Sequence, residues 1–226
     1  MFKKALLSIL FIFNLITSTA MQPAHAQILI CPHCKGEKPV LSLLSGNTFR
    51  GHQWWDFKEE YPMLPHVSWV QKCPHCGKYF MMNSAKSREG KDYSDELGHL
   101  THAEMRQALS QFKDTLSGQE RTNLLFEYVW AYNDAFQREN TERATPSKEE
   151  LKEFQGVIRE LVSALAPTAD RLALAELLRE ARFFDEAMAI VEKEGEQETA
   201  ILQKLSVIIR EKSLKKDSTV GIIPNL

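Results

Sequence analysis

Four cysteines carry the only pattern of residue types in this chain that converges on one chemistry. They stand in two identical clusters, Cys31-Pro32-His33-Cys34 and Cys73-Pro74-His75-Cys76. Two residues between paired cysteines let a tight turn aim both sulfurs at one point, and a repeated C-x2-C is a metal-binding pattern. Pro32 and Pro74 pre-set a turn φ, and Gly36 and Gly77 offer permissive backbone behind each pair. Four thiolates complete the tetrahedron that zinc prefers and leave no position for a substrate. The expected site is therefore one structural Zn2+ on Cys31, Cys34, Cys73 and Cys76. Residues 35–72 separate the clusters, 38 residues against about 15–20 in a compact ribbon. The insert must carry structure of its own.

Two other readings of the same letters stay open. Cys-Pro-His-Cys resembles the active site of periplasmic thiol oxidases of the thioredoxin fold. That resemblance implies a first cysteine at a helix N-terminus, where its pKa is lowered. Here Pro39 follows the first cluster closely and blocks a helix. Gly77-Lys78-Tyr79-Phe80-Met81-Met82 follows the second and has strand composition. A thiol-redox or metal-handling protein is the first alternative. Two structural disulfides in an oxidising compartment are the other.

No further catalytic constellation is present: no Gly-rich phosphate loop, no Gly-x-Ser-x-Gly, no His-Glu-x-x-His. The seven histidines have no converging motif. His33 and His75 lie inside the clusters and could replace a cysteine ligand. His52 and His66 lie in the insert with Trp54 and Trp55, the second alternative being an enzyme site there. His99 and His102 flank a helix start. Paired acids such as Glu149-Glu150 sit where a helix dipole explains them.

The elements that must position the cysteines follow from the chain in order. Residues 1–26 have a basic start, an apolar run from Ala5 to Ile16, and Ala24-His25-Ala26, which together predict a signal peptide cleaved before Gln27. The apolar run is short against the roughly 20 residues of a membrane span, which favours cleavage over an uncleaved anchor, and no later stretch is long and apolar enough to cross a membrane. The expected location is exported, periplasmic or secreted, with cytoplasmic the less favoured reading. Residues 27–91 form a β-rich zinc-ribbon-like domain with candidate strands at 40–44, 67–70 and 79–82. Phe49, Trp54, Trp55, Phe57, Tyr61 and Trp69 give its insert rings enough for a small core. Lys86–Asp95 reads as a linker.

Residues 92–215 read as an all-α array, and residues 216–226 as a flexible tail. Thr101-x-x-Glu104, Ser117-x-x-Glu120 and Ser147-x-x-Glu150 are candidate capping boxes. A helix pair is expected over 170–181 and 185–193, closed by Gly195, and a last helix over about 198–214. The fold class is thus α+β, a small β-rich head followed by helices.

Leu172 to Ile190 resembles a tetratricopeptide repeat, with small residues at Ala175, Ala187 and Ala189. No clean repeat of about 34 residues runs through 95–214. The whole chain from residue 27 also resembles a group of uncharacterised bacterial zinc-ribbon-like proteins. These carry paired Cys-Pro-x-Cys knuckles flanking Ser-Gly-Asn-Thr-Phe (here Ser45–Phe49) and Pro-Met-Leu-Pro (here Pro62–Pro65), followed by a helical region. The resemblance implies the metal and the fold and brings no activity. Such heads usually lack an export signal.

Charge excludes a global basic field for nucleic acid. The formal balance is −2. Residues 27–91 carry 9 basic and 5 acidic residues, and residues 92–226 carry 17 and 25. The chain thus reads as a non-enzymatic zinc-binding protein whose helical array meets another protein, no nucleic acid being expected.

Overall fold

The computed structural model describes residues 22–23, 25–139, 142–194 and 199–223. Most of the expected signal peptide and Gly195 lie outside these residues.

Among the described residues, nine short strands come first: β1 (Gln22–Pro23), β2 (Gln27–Ile30), β3 (Glu37–Val40), β4 (Leu43–Ser45), β5 (His52–Gln53), β6 (Glu59–Glu60), β7 (Val70–Lys72), β8 (Tyr79–Met81) and β9 (Lys86–Glu89). All their pairings are antiparallel: β1 with β4, β2 with both β3 and β9, β5 with β6, and β7 with β8. Six helices follow: α1 (His102–Gln111), α2 (Gly118–Phe136), α3 (Lys148–Leu165), α4 (Arg171–Glu180), α5 (Phe184–Glu194) and α6 (Ala200–Leu214). The chain is α+β, small antiparallel sheets followed by helices.

The head is held by backbone pairing more than by side chains. In the three-stranded sheet, β2 is central, with Gln27 opposite Val40 and Glu89, and Ile30 opposite Glu37 and Lys86. Pro39, which has no N–H to give, sits on the edge strand β3, where a proline is tolerated. The segment read as a linker from Lys86 contains the other edge strand, β9. Its four residues Lys-Ser-Arg-Glu are all exposed. A charged edge strand has no apolar alternation, so its sequence looks like loop and only the neighbouring backbone makes it a strand. The chain beyond it is fastened too: Leu41 N–H donates to Glu96 O at 2.8 Å, and Ser68 N–H to Leu97 O at 2.9 Å.

Helix starts follow the capping boxes in two of three cases. The Thr101 and Ser147 side chains each accept the N3 backbone N–H, and Glu104 and Glu150 each reach back. Ser117 makes no side-chain cap. Its expected partner Glu120 instead accepts from Asn83 Nδ2 at 2.9 Å. Helices α4 and α5 pack as the expected pair through a turn with Arg182 at φ 64°. Ala175 and Ala187 are buried where the helices meet, while Ala189 faces solvent.

One large core joins the helices to the head. Leu124, Leu125, Tyr128, Tyr132, Phe154, Ile158 and Leu161 are fully buried within it. Trp54, Trp55, Val70, Tyr79 and Met81 of the head belong to the same cluster. The core therefore continues across residue 92. A second, small cluster under the knuckles holds Leu29, Cys31, Val40, Cys73 and Phe80.

The segment expected to be a loose tail from residue 216 is tied down through Ile223. Val220 is completely buried. Its N–H donates to Gln137 O, and Glu139 N–H donates back to Val220 O. Arg179, itself buried, donates to Asp217 O at 2.7 Å and Thr219 O at 3.0 Å. One buried valine and backbone bonds to a distant helix end leave no periodic signal, so composition alone reads as a tail. Among the described residues, no helix is long and apolar enough to cross a membrane.

Candidate metal centre

Each knuckle is the tip of a hairpin, β2–β3 for Cys31 and Cys34, β7–β8 for Cys73 and Cys76. The two tips are built alike. Cys31 N–H donates to Gly36 O at 2.9 Å, and Lys35 N–H returns to Cys31 O at 3.0 Å. In the second knuckle Cys73 N–H donates to Lys78 O at 2.9 Å, and Gly77 N–H to Cys73 O at 3.0 Å. The residue after each second cysteine has the left-handed conformation, Lys35 at φ 64° and Gly77 at φ 70°. The permissive position expected at Gly36 thus falls on Lys35. Gly36 is needed for another reason: a Cβ there would collide with the His75 ring.

The histidines cross-link the two tips. His33 Nε2 lies 3.1 Å from Tyr79 O, and His75 Nε2 lies 3.0 Å from Glu37 O. Tyr79 and Glu37 are the first residues of β8 and β3, so the two bonds are reciprocal. Neither histidine belongs to the four-sulfur group. Each ring fixes its own knuckle against the opposite hairpin, as supporting groups commonly do around a metal.

The four sulfurs lie within 4.8 Å of one another. Cys31 Sγ is 3.9 Å from Cys76 Sγ, and Cys34 Sγ is 3.5 Å from Cys73 Sγ. A tetrahedral ion with M–S bonds of about 2.3 Å requires sulfur separations of roughly 3.8 Å. The donor set fits such an ion at all four corners. Cys31 and Cys73, first in each pair, are buried, while Cys34 and Cys76 are exposed.

The thiols are also unequal electrostatically. Burial pushes Cys73 up, yet the backbone N–H groups of Cys76 and His75 and the thiols of Cys34 and Cys31 outweigh it and bring Cys73 down to about 6. Cys34 receives the Gly36 N–H, which lowers its pKa, but burial and the neighbouring sulfurs push it up to about 12. Four thiols so close cannot all ionise without a cation among them. Lys38, only 9% exposed, is a charge that the spacing argument missed. Burial lowers its pKa, against the pull of Glu96 and of the Cys73 thiolate. Only its place on β3, one residue past Glu37, brings it there.

The other sequence candidates do not gather here. Among the described residues, the four cysteines are the one His/Cys/Asp/Glu group with metal-ligand geometry. Trp54 and Trp55 are buried in the main core. His52, His66 and His99 line a cleft between the insert and α2. His102 is buried against Tyr128, Tyr132 and Phe136.

Comparison with known protein families, curated proteins and solved structures gives no match.

Proposed function

We propose that this chain is an exported, non-enzymatic zinc-binding protein in which Zn2+ is structural and the helical half presents a surface to another protein. The observation that carries the reading is the close set of four cysteine sulfurs at the tips of two separate hairpins. With four thiolates bound, zinc keeps no open position to polarise a substrate or activate water. What the ion supplies is a covalent-strength tie between β2–β3 and β7–β8, whose shared buried cluster is too small to hold them.

The redox alternative needs each knuckle to cycle its own disulfide. Contacts of 3.9 Å and 3.5 Å between sulfurs of different knuckles favour a shared ion instead. For the helical half, the α4–α5 pair supports a tetratricopeptide-like reading over that stretch, and such helix pairs commonly hold segments of other proteins. Export rests on the basic and apolar start. Cleavage before Gln27 would leave β2 whole, since the strand begins there.

The test is affinity capture from the envelope fraction of the native host, with intact mass measured on the bait. A protein chain beginning at Gln27 that retains a stoichiometric partner through residues 101–215 supports the reading. A chain that keeps residues 1–26 in the cytoplasm, or turnover of a thiol substrate by the purified protein, contradicts it.

A further inference from the structure

The cleft between the insert and α2 plays no part in the metal centre. Its volume is about 880 Å3, within the range of small-molecule sites. One wall is a run of half-buried rings. Phe126 lies 5.8 Å from Trp130 with their planes 34° apart, and Trp130 lies 5.7 Å from Trp69 at 37°. All three rings line the cleft, so a planar aromatic ligand entering it meets aromatic faces or edges on that wall.

His66 stands edge-on to both indoles, at 4.8 Å from Trp69 and 5.6 Å from Trp130. Its Nε2 is 3.2 Å from Glu127 Oε1, which also accepts the backbone N–H of Trp69 at 2.8 Å. Glu127 comes from α2 and is 5% exposed. A carboxylate only accepts, so it fixes the proton of His66 on Nε2, and Nδ1 of the neutral ring is left as an acceptor. Among the described residues Nδ1 has no hydrogen-bond partner.

The formal charges of the lining cancel, with Arg50 and Lys58 against Glu59 and Glu60. Lys58 is held between Glu60 at 2.8 Å and Asp134 at 2.7 Å. His52 lies 3.1 Å from Glu60. Burial lowers the pKa of His99, which also lines the cleft. No net charge is left to recruit an ion.

We infer that this cleft binds an uncharged, planar aromatic molecule that stacks along Phe126, Trp130 and Trp69 and donates one hydrogen bond to Nδ1 of His66. The inference rests on nothing in the metal centre.

The test uses the full chain with three probes at pH 8, where an ordinary imidazole is neutral. These are 2-naphthol, 2-methoxynaphthalene, which lacks the donor, and naphthalene-2-sulfonate, which adds a charge. Binding is followed by quenching of tryptophan fluorescence and by ligand-observed NMR. Expected is saturable binding of 2-naphthol, about tenfold tighter than either of the others, the worth of one good hydrogen bond. His66→Ala and His66→Phe, the second keeping a ring without the acceptor, should each abolish the preference over 2-methoxynaphthalene. Phe126→Leu should weaken both neutral probes and leave their ratio unchanged. Metal content and helical signal, measured on every variant, should not move. Absence of saturable 2-naphthol binding overturns the inference. So does equal binding of the sulfonate, a preference that survives both His66 variants, or displacement of 2-naphthol by a proline-rich peptide at lower concentration.

Discussion

Around the knuckles the protein buries Leu29, Cys31, Val40, Cys73 and Phe80. Around α2 and α3 it buries a continuous core that takes in five residues of the head as well. The two regions meet in β8. Its three residues alternate across the strand, as period-2 geometry requires. Phe80 points into the small cluster, Tyr79 and Met81 into the large one. The difference shows what each region depends on. The core around the helices buries many apolar side chains. The sheet buries few, and what it has besides is the four-sulfur cluster at one end and a hairpin wedged into the helices at the other.

The largest expected effect breaks the seam between the regions. Asp56 of the insert is completely buried and ion-paired to Arg138 Nη1 at 2.8 Å. It also accepts from Asn133 Nδ2 of α2 at 2.8 Å. Removing Asp56 leaves the buried Arg138 with the half-exposed Asp134, 2.8 Å from its Nε, in place of a fully buried partner, so Asp56→Ala should cost about 3 kcal/mol in chemical denaturation. A loss below about 1 kcal/mol would mean that the head and helices are not coupled there.

Next come two matched trims that sharpen the contrast. Phe80→Leu and Phe154→Leu should each cost about 1–2 kcal/mol, since each leaves a small void. They should read out differently. Phe154 stacks on Tyr132 at 3.8 Å, and its loss should lower the helical melt and leave metal release unchanged. Loss of Phe80 should speed metal release to a chelator and leave the helical melt nearly in place. The same response to both would erase the distinction between the two cores.

A smaller effect is local. Ser147→Ala removes a complete capping box and should cost about 1 kcal/mol, visible in the helical melt alone.

The last prediction concerns slope rather than level. Burial, with Asp56 and Glu176 nearby, holds the Glu180 pKa well above its ordinary 4.5. The folded chain then keeps a proton that the unfolded chain has lost. Stability from this group is therefore present below about pH 4.5 and falls as pH rises toward the folded pKa. Glu180→Gln mimics the protonated acid and should flatten that decline, seen in melts from pH 5 to 8. A steeper decline would show that the ionised form is the stabilising one.

Much of this was legible in the residues. The cysteine spacing locates the four-sulfur group, and two capping boxes and the helix pair follow from local chemistry that needs no tertiary partner. The failures have a common cause. Lys86–Glu89 became a strand and Asp217–Ile223 a docked segment only because distant backbone was waiting for them. His33 and His75 read as spare ligands, yet their bonds to Tyr79 O and Glu37 O depend on how two hairpins face each other. Trp54 and Trp55 were grouped with His52 and His66 by proximity in sequence. The fold buries the indoles and leaves the imidazoles on the cleft. Glu127, which orients His66, is 61 residues away in sequence and leaves no local sign.

The central claim is that one structural zinc sits on Cys31, Cys34, Cys73 and Cys76. Metal analysis of the full chain, purified without chelators, tests it most directly when combined with timed thiol alkylation. The account predicts about one zinc per chain, with all four thiols protected until a chelator is added. Metal-free protein with two rapidly reducible disulfides, Cys31–Cys34 and Cys73–Cys76, would contradict it.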